Sequence, residues 1–358
     1  MVTRKHVSEL FQFLIWESNS LLWSIMKMKM IFKKDENAQL RFMRGPNCKC
    51  PLCGNIIKSE IESVRTIDIS NLYRKVYKKD IGYIWKSVER LEYVLCQKCG
   101  LRFFDPIISG DDNFYNILLK DEWYYLHEGK TEYDYSRKFI EEDDRVLDIG
   151  AGRGAFRHYL SEKNYYQGLD LSSKAIELAK KDGANVLPIP IEEFSEENKE
   201  RFDVVSIFQV IEHISSLDKF MCCASDCIVK GGLLIVATPD NDGFIKYVSN
   251  FCLNLPPHHT LHWNERSLRS MAEKYNLEVL DIYRESVSSV HRQWWYNTMS
   301  TTYLNRLLRK DFRMIDYRFT YKTVRLAAKI LAQFYKLSGA HKKSFGQSII
   351  MVCRKPDV

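Results

Sequence analysis

Arg145-Val146-Leu147-Asp148-Ile149-Gly150-Ala151-Gly152-Arg153-Gly154-Ala155-Phe156 reads as a short buried strand running into a glycine turn, with a helix to follow through His158 and Leu160. Glycines at three alternate positions let the backbone pass close to a ligand, because no Cβ stands in the way. Asp148 places a carboxylate where the strand ends. Asp170, sixteen residues beyond Gly154, closes a second strand, Tyr165 to Leu169, and an acid there can accept both hydroxyls of a ribose. The helix from Ser172 to Lys181 carries Ala175, Ile176, Leu178 and Ala179 on one face, and Asn185 to Ile191 is the third strand. Strand and helix alternate as βαβαβ, the first half of a doubly wound parallel sheet.

Phe202 to Phe208 is a fourth strand, followed by Gln209-Val210-Ile211-Glu212-His213-Ile214 on a helix. A Val229-Lys230-Gly231-Gly232 turn then leads to a fifth strand, Leu233 to Ala237, ending at Thr238-Pro239-Asp240. Leu277 to Ile282 is a sixth, and Ser348 to Cys353 fits an antiparallel seventh. Gly150-x-Gly152-x-x-Ala155 also fits a dinucleotide fingerprint, so the glycines alone leave two ligands open. Asp148 tips the balance, since a carboxylate would face a charged pyrophosphate but suits a ligand carrying a cation, such as the ammonium of a methionyl group.

These motifs in order resemble a class I S-adenosylmethionine-dependent methyltransferase over roughly residues 140 to 285 plus the last strand. The resemblance implies an α/β fold with a Rossmann-like, seven-stranded doubly wound sheet and an antiparallel last strand. It implies that Asp148, Gly150, Gly152 and Gly154 cradle the methionine part and sugar of S-adenosyl-L-methionine and that Asp170 takes the ribose hydroxyls. By the same carry-over, Ile191 and Glu192 lie at the adenine, while Phe208 and Gln209 flank the methyl group. Two departures stand out: Pro190 occupies a position where the family often has aspartate, and the proline of the usual Lys-Pro-Gly-Gly is missing before Gly231.

Ten cysteines in 358 residues are too sparse for a disulfide scaffold, and with no secretory signal in view a reducing compartment is the default. Four of them form two glycine-followed pairs, Cys50-Pro-Leu-Cys53 and Cys96-Gln-Lys-Cys99, which can supply four soft ligands to a tetrahedral Zn²⁺. The 42 residues from Gly54 to Leu95 exceed the spacing of a compact zinc ribbon, and redox thiols are the rival reading. A site closed by four thiolates would be structural. Cys96-x-x-Cys99-Gly100-Leu101-x-Phe103-x-x-Pro106 is similar to the N-terminal module of a bacterial methyltransferase subgroup assigned to sugar or small-molecule methylation.

The chain thus divides into a poorly specified tail over 1–45, a zinc-binding module over 46–106, a helical linker over 107–140, the methyltransferase core over 141–285 and 346–358, and an insertion over 286–345. Met26, Met28 and Met30 are alternative starts to Met1. Methyl transfer to an alcohol needs a base, and Pro256-Pro257-His258-His259-Thr260-Leu261-His262 sets three histidines in a loop after the fifth strand, where the acceptor should enter. His258, His259 and His213 are the catalytic candidates, against structural roles as helix entry or buried hydrogen bonds. A second metal site there is disfavoured because no carboxylate partner is close in sequence.

Formal charge is +7, but residues 284–345 hold 13 basic and 3 acidic side chains, so the rest of the chain is slightly acidic. Tyr321, Val324, Ala328, Leu331 and Tyr335 recur at helical spacing beside Lys322, Arg325, Lys329 and Lys336. A substrate lid or packing helix is the plainer reading; a peripheral anchor on anionic membrane is the other, and nucleic acid a less favoured third. No stretch reaches a membrane span, so the protein is expected to be cytoplasmic, at most peripheral on the inner membrane face. The expected activity is O-methylation of a sugar hydroxyl on a glycan or polysaccharide intermediate. C-methylation and quinone-type O-methylation come next, then RNA methylation, then a nicotinamide oxidoreductase or a non-catalytic cofactor-binding protein.

Overall fold

The computed structural model describes residues 48–58, 60–118, 130–337 and 339–357; the expected tail, its alternative starts and residues 119–129 of the expected linker lie outside them. Two small antiparallel sheets come first, one of two strands and one of four. β1 (Cys48–Lys49) pairs with β2 (Ile56–Ile57) across the first cysteine turn, and β3 (Glu60–Arg65) leads into α1 (Thr66–Tyr77). β4 (Arg90–Leu95) and β5 (Arg102–Asp105) flank the second cysteine turn, with Leu95 opposite Arg102. Two short helices follow, α2 (Asp112–Leu118) and α3 (Thr131–Ser136).

The large sheet begins with β6 (Arg145–Ile149) and β7 (Tyr165–Leu169), then α4 (Ser173–Lys181), β8 (Val186–Leu187) and α5 (Ile191–Phe194). β9 (Phe202–Phe208), α6 (Leu217–Asp226) and β10 (Ile228–Pro239) continue it. β11 (Leu261–His262) precedes α7 (Glu265–Lys274) and β12 (Glu278–Ser286). α8 (Arg292–Leu307), α9 (Phe319–Leu337) and β13 (Phe345–Arg354) complete the described chain.

Seven strands pair in the order β12-β13-β10-β9-β6-β7-β8, with β10, β9, β6, β7 and β8 mutually parallel and β13 antiparallel to both its neighbours. This is the expected sheet, its antiparallel last strand included. β6 and β9 read as near-continuous apolar runs because helices cover a parallel sheet on both faces. The four-stranded and seven-stranded sheets share their packing: β11 adds to the edge of β5, Leu261 opposite Phe103, and one core cluster runs from Cys50, Cys96 and Cys99 through fully buried Trp263 to Leu147 and Val236.

Three local expectations need correction. The third strand is only Val186–Leu187, and Ile191 opens α5 instead, since Pro188 and Pro190 have no N–H to give to a strand ladder. The glycine turn feeds a single 3₁₀ turn, Ala155–Tyr159, and Leu160 is already extended. Glu212 and His213 sit in a turn rather than on a helix, which starts only at Leu217.

In the insertion, α9 packs through Tyr321, Val324, Ala328, Ala332 and Tyr335, with Tyr335 against Trp295 of α8. Leu331, expected in that stripe, is only partly buried, and Ala332 takes its place. Leu326, Ile330 and Phe334 form a second apolar stripe on another face, 66%, 65% and 55% exposed. Among the described residues no helix is long and apolar enough to cross a membrane.

Candidate functional site

Where β6 ends, Gly150, Gly152 and Gly154 all have positive φ, at 74°, 58° and 78°. A side chain at Gly150 would put its Cβ 2.3 Å from Cγ2 of Val210, so the turn and the segment after β9 touch backbone to side chain. Asp148 is 2% exposed and buried between strands: the Tyr166 hydroxyl donates to Oδ2 at 2.8 Å and the Ser206 hydroxyl to Oδ1 at 2.9 Å. Burial pushes its carboxyl up to about 6, with those two hydrogen bonds opposing the rise. A ligand cation would therefore compete with two hydroxyls for this carboxylate. Asp170, at the end of β7, accepts the backbone N–H of Gly152 through Oδ2 and that of Ser172 through Oδ1, both at 2.8 Å. Ser172 in turn caps α4 by accepting the Ala175 N–H.

Phe208 packs against Phe156 and Tyr133, with ring centroids 4.8 and 5.1 Å away, and Gln209 takes a left-handed φ of 58° while its N–H reaches the Ala237 carbonyl. Phe208 ends β9 and Gln209 follows it, bonded across to β10. Glu192 is half-buried, but Ile191 lies in the core, so its side chain is not open to an adenine.

Beyond Gln209 the chain turns and brings three histidines together. His213 donates its backbone N–H to the Val210 carbonyl, the same residue that packs on Gly150. The His258 ring lies 4.5 Å from the His213 ring and 4.4 Å from the His259 ring, centroid to centroid, and one nitrogen from each of the three falls within 4.8 Å of the others. Each Nδ1 faces an oxygen: His213 the carbonyl of His258 at 2.5 Å, His258 that of Leu253 at 2.9 Å, His259 the Asn254 side chain at 3.2 Å. Burial pushes all three imidazoles down, His213 to about 4, so they are neutral near pH 7. His262 stands apart, bonded to the Tyr93 hydroxyl and the Asn254 carbonyl. Glu212 is 1% exposed, accepts from Thr238 Oγ1 at 3.1 Å, and is pushed up to about 8 by burial.

A family model described as a methyltransferase domain matches residues 125–282. This chain carries a class I S-adenosylmethionine-dependent methyltransferase domain. A Methanocaldococcus jannaschii protein provisionally assigned as a ribosomal RNA large subunit methyltransferase is 34% identical over 165 residues, 38% of this chain and 42% of that one. The mitochondrial ubiquinone biosynthesis O-methyltransferase of Dictyostelium discoideum is 25% identical over 192 residues, 46% of this chain and 60% of that one. The chain thus spans about half the length of these relatives. A SAM-dependent methyltransferase from Archaeoglobus fulgidus overlaps at a TM-score of 0.42 and 16% identity, covering 67% of this chain and all of that one.

The methyltransferase domain fits its cofactor at the turn: glycines with positive φ leave no side chain over the backbone, and the Asp170 carboxylate is pinned beside them. Gly150, Gly152, Gly154 and Asp170 would hold it, and it supplies an electrophilic methyl group. The four expected cysteines also converge, Cys50 Sγ 3.5 Å from Cys99 Sγ and Cys53 Sγ 3.5 Å from Cys96 Sγ, all within 4.8 Å. Zn–S bonds of ~2.3 Å set sulfurs of a tetrahedron roughly 3.8 Å apart, so the cluster is compatible with zinc. Cys48 is not in it. Four site neighbours escaped the sequence reading. Tyr166 and Ser206 hold Asp148; Tyr133 backs Phe208; and Tyr115 lies edge-on to His213 at 6.0 Å. Only spatial closure reveals them, for none belongs to a spaced motif.

Proposed function

We propose that the protein transfers a methyl group from S-adenosylmethionine to an oxygen nucleophile, a sugar hydroxyl on a glycan or small-molecule intermediate. The observation that carries this reading is the placement of three neutral, buried imidazoles next to the glycine turn, linked to it through Val210. Transfer forms a carbon–oxygen bond as the carbon–sulfur bond breaks, so the hydroxyl must lose its proton, and alignment supplies much of the rate. The similarity to ubiquinone biosynthesis O-methyltransferases supports an oxygen acceptor. Resemblance of the cysteine head to the module of a subgroup assigned to sugar or small-molecule methylation supports a sugar, and that head holds a structural zinc. Incubation with labelled cofactor and a panel of nucleotide-sugars, lipid-linked saccharides, catechols and ribosomal RNA tests the assignment. Label on a saccharide hydroxyl is expected; label only on RNA or on carbon would overturn it.

A second reading concerns where the acceptor is met. Leu326, Ile330 and Phe334 are exposed on α9, with Lys322, Arg325 and Lys329 on the adjoining face. Apolar side chains flanked by a basic row suit the surface of an anionic bilayer, where a lipid-carried acceptor would be presented.

A further inference from the structure

Glu212 Oε1 is buried with no hydrogen-bond partner among the described residues, although Oε2 has Thr238. An orphaned carboxylate oxygen in the interior is costly, and such groups normally mark an unseen partner. Its nearest basic atom is Nε2 of His213, 4.0 Å away. That gap is too wide for a hydrogen bond, yet two bonds of ~2.0–2.2 Å to a shared cation span it. The carboxylate that the linear sequence did not offer to the histidine loop is thus supplied by the turn after β9. That turn is tied to the loop: the Glu212 carbonyl accepts the N–H groups of Thr260 and Leu261, and the Ser109 hydroxyl donates to the His213 carbonyl.

We infer that His213, His258 and His259, with the carboxylate of Glu212, form a second metal site, distinct from the cysteine cluster, that takes a divalent first-row transition ion such as zinc. Metal-bound histidine commonly donates its other ring N–H to a carbonyl or carboxylate, which fixes the tautomer and the ring plane. All three rings have an oxygen opposite Nδ1 already, which places the lone pair of each neutral ring on Nε2. Nitrogen and carboxylate donors without sulfur suit zinc, iron or manganese, and an ion held by three imidazoles and one carboxylate takes a further ligand only by expanding to five-coordinate. Tyr115 and Phe114 close the aromatic side of the rings, and Glu132 is the other acid whose charge acts on Glu212. The binding of the ion does not rest on the acceptor proposed above; only its use does. That use would be to acidify a hydroxyl brought to the ion.

Metal analysis of the full chain, purified without chelator and equilibrated with zinc, is expected to give two ions per chain. His259→Ala and Glu212→Gln should each lose one of them while binding S-adenosylhomocysteine within about threefold of the parent. In cobalt-exchanged protein, the thiolate charge-transfer band should survive in both variants while part of the weaker visible absorption disappears. One ion per chain in the parent after exposure to zinc, manganese and iron in turn, with the thiolate band accounting for all bound cobalt, would overturn the site. Two ions retained in both variants would overturn it as well. Failure to bind S-adenosylhomocysteine in a parent holding two ions would instead remove the methyltransferase reading and leave the metal site standing.

Discussion

Asp170 Oδ2 lies 2.8 Å from the backbone nitrogen of Gly152, so the acid ending β7 is bonded directly to the middle of the glycine turn that ends β6. One carboxylate thereby holds the turn in shape and stands where a ribose would meet it. Asp170→Asn keeps the size of the group but exchanges one charged acceptor for an amide that donates. Hydrogen bonds to charged groups are worth about 1.5–3 kcal/mol. Affinity for S-adenosylmethionine should fall roughly tenfold to a hundredfold in calorimetric titration, and the melting temperature of the cofactor-free protein should drop by a few degrees, because one backbone N–H loses its acceptor. An unchanged affinity would remove Asp170 from the cofactor site.

Asp148 makes a prediction with pH. Its folded-state carboxyl is raised to about 6 by burial, above the value near 3.9 of an unfolded chain, so the folded state holds this proton more tightly. The stability it contributes is present below about pH 4 and is lost as pH rises through 6, on the order of 2–3 kcal/mol for a shift of this size. Tyr166 and Ser206 bond to it, while Lys130 and Asp170 act on it through their charges. Asp148→Asn should therefore flatten that part of the pH–stability curve of the cofactor-free protein and leave it more stable than the parent at pH 8. Urea unfolding at pH 4.5, 6 and 8 reads the difference; parallel parent and variant curves would contradict it.

Much of this was readable because parallel strands buried on both faces leave uninterrupted apolar runs. Tyr165–Leu169 and Phe202–Phe208 have the ends expected, and the strand order follows from βαβ connections. Where the reading failed, a local rule overrode the pattern: Pro188 and Pro190 cut the third strand short and turned Ile191 into a helical core residue. The cysteine pairs were legible because ligands to one ion must recur at short spacing, whereas His213 and His258 are 45 positions apart and meet only through the loop that returns to β9. In α9 the periodicity was correct and its assignment incomplete. One helix carries two apolar stripes, and only the packing against α8 shows which is spent on the core.

The cysteine cluster predicts a metal-dependent fold. Cys50, Cys96 and Cys99 share one core cluster with Trp263, Leu147 and Val236, so loosening them disturbs the packing of both sheets. Removing a thiolate from a structural zinc site forfeits binding energy that is coupled to folding. Cys96→Ser should lose the cysteine-bound ion and lower the unfolding free energy by several kcal/mol in denaturant titration. Full stability in a variant shown by metal analysis to lack that ion would mean that the thiols pack as ordinary buried cysteines.

The last expectation tests the face of α9. Leu326, Ile330 and Phe334 are exposed and take no part in the packed stripe of Tyr321, Val324, Ala328 and Tyr335, so polar replacements there should leave folding intact. Full burial of such a side chain is worth about 1.5–3 kcal/mol, and partial burial at a lipid interface a fraction of that for each of the three. The triple variant L326S/I330S/F334S should thus bind vesicles containing phosphatidylglycerol at least tenfold more weakly than the parent in co-sedimentation, with an unchanged melting temperature. Replacing Lys322, Arg325 and Lys329 with glutamine should weaken binding to the same vesicles and reduce its dependence on salt, because their share of the attraction is screened. A parent protein that stays in the supernatant with anionic vesicles at low salt would end the membrane reading and return α9 to the role of a packing helix.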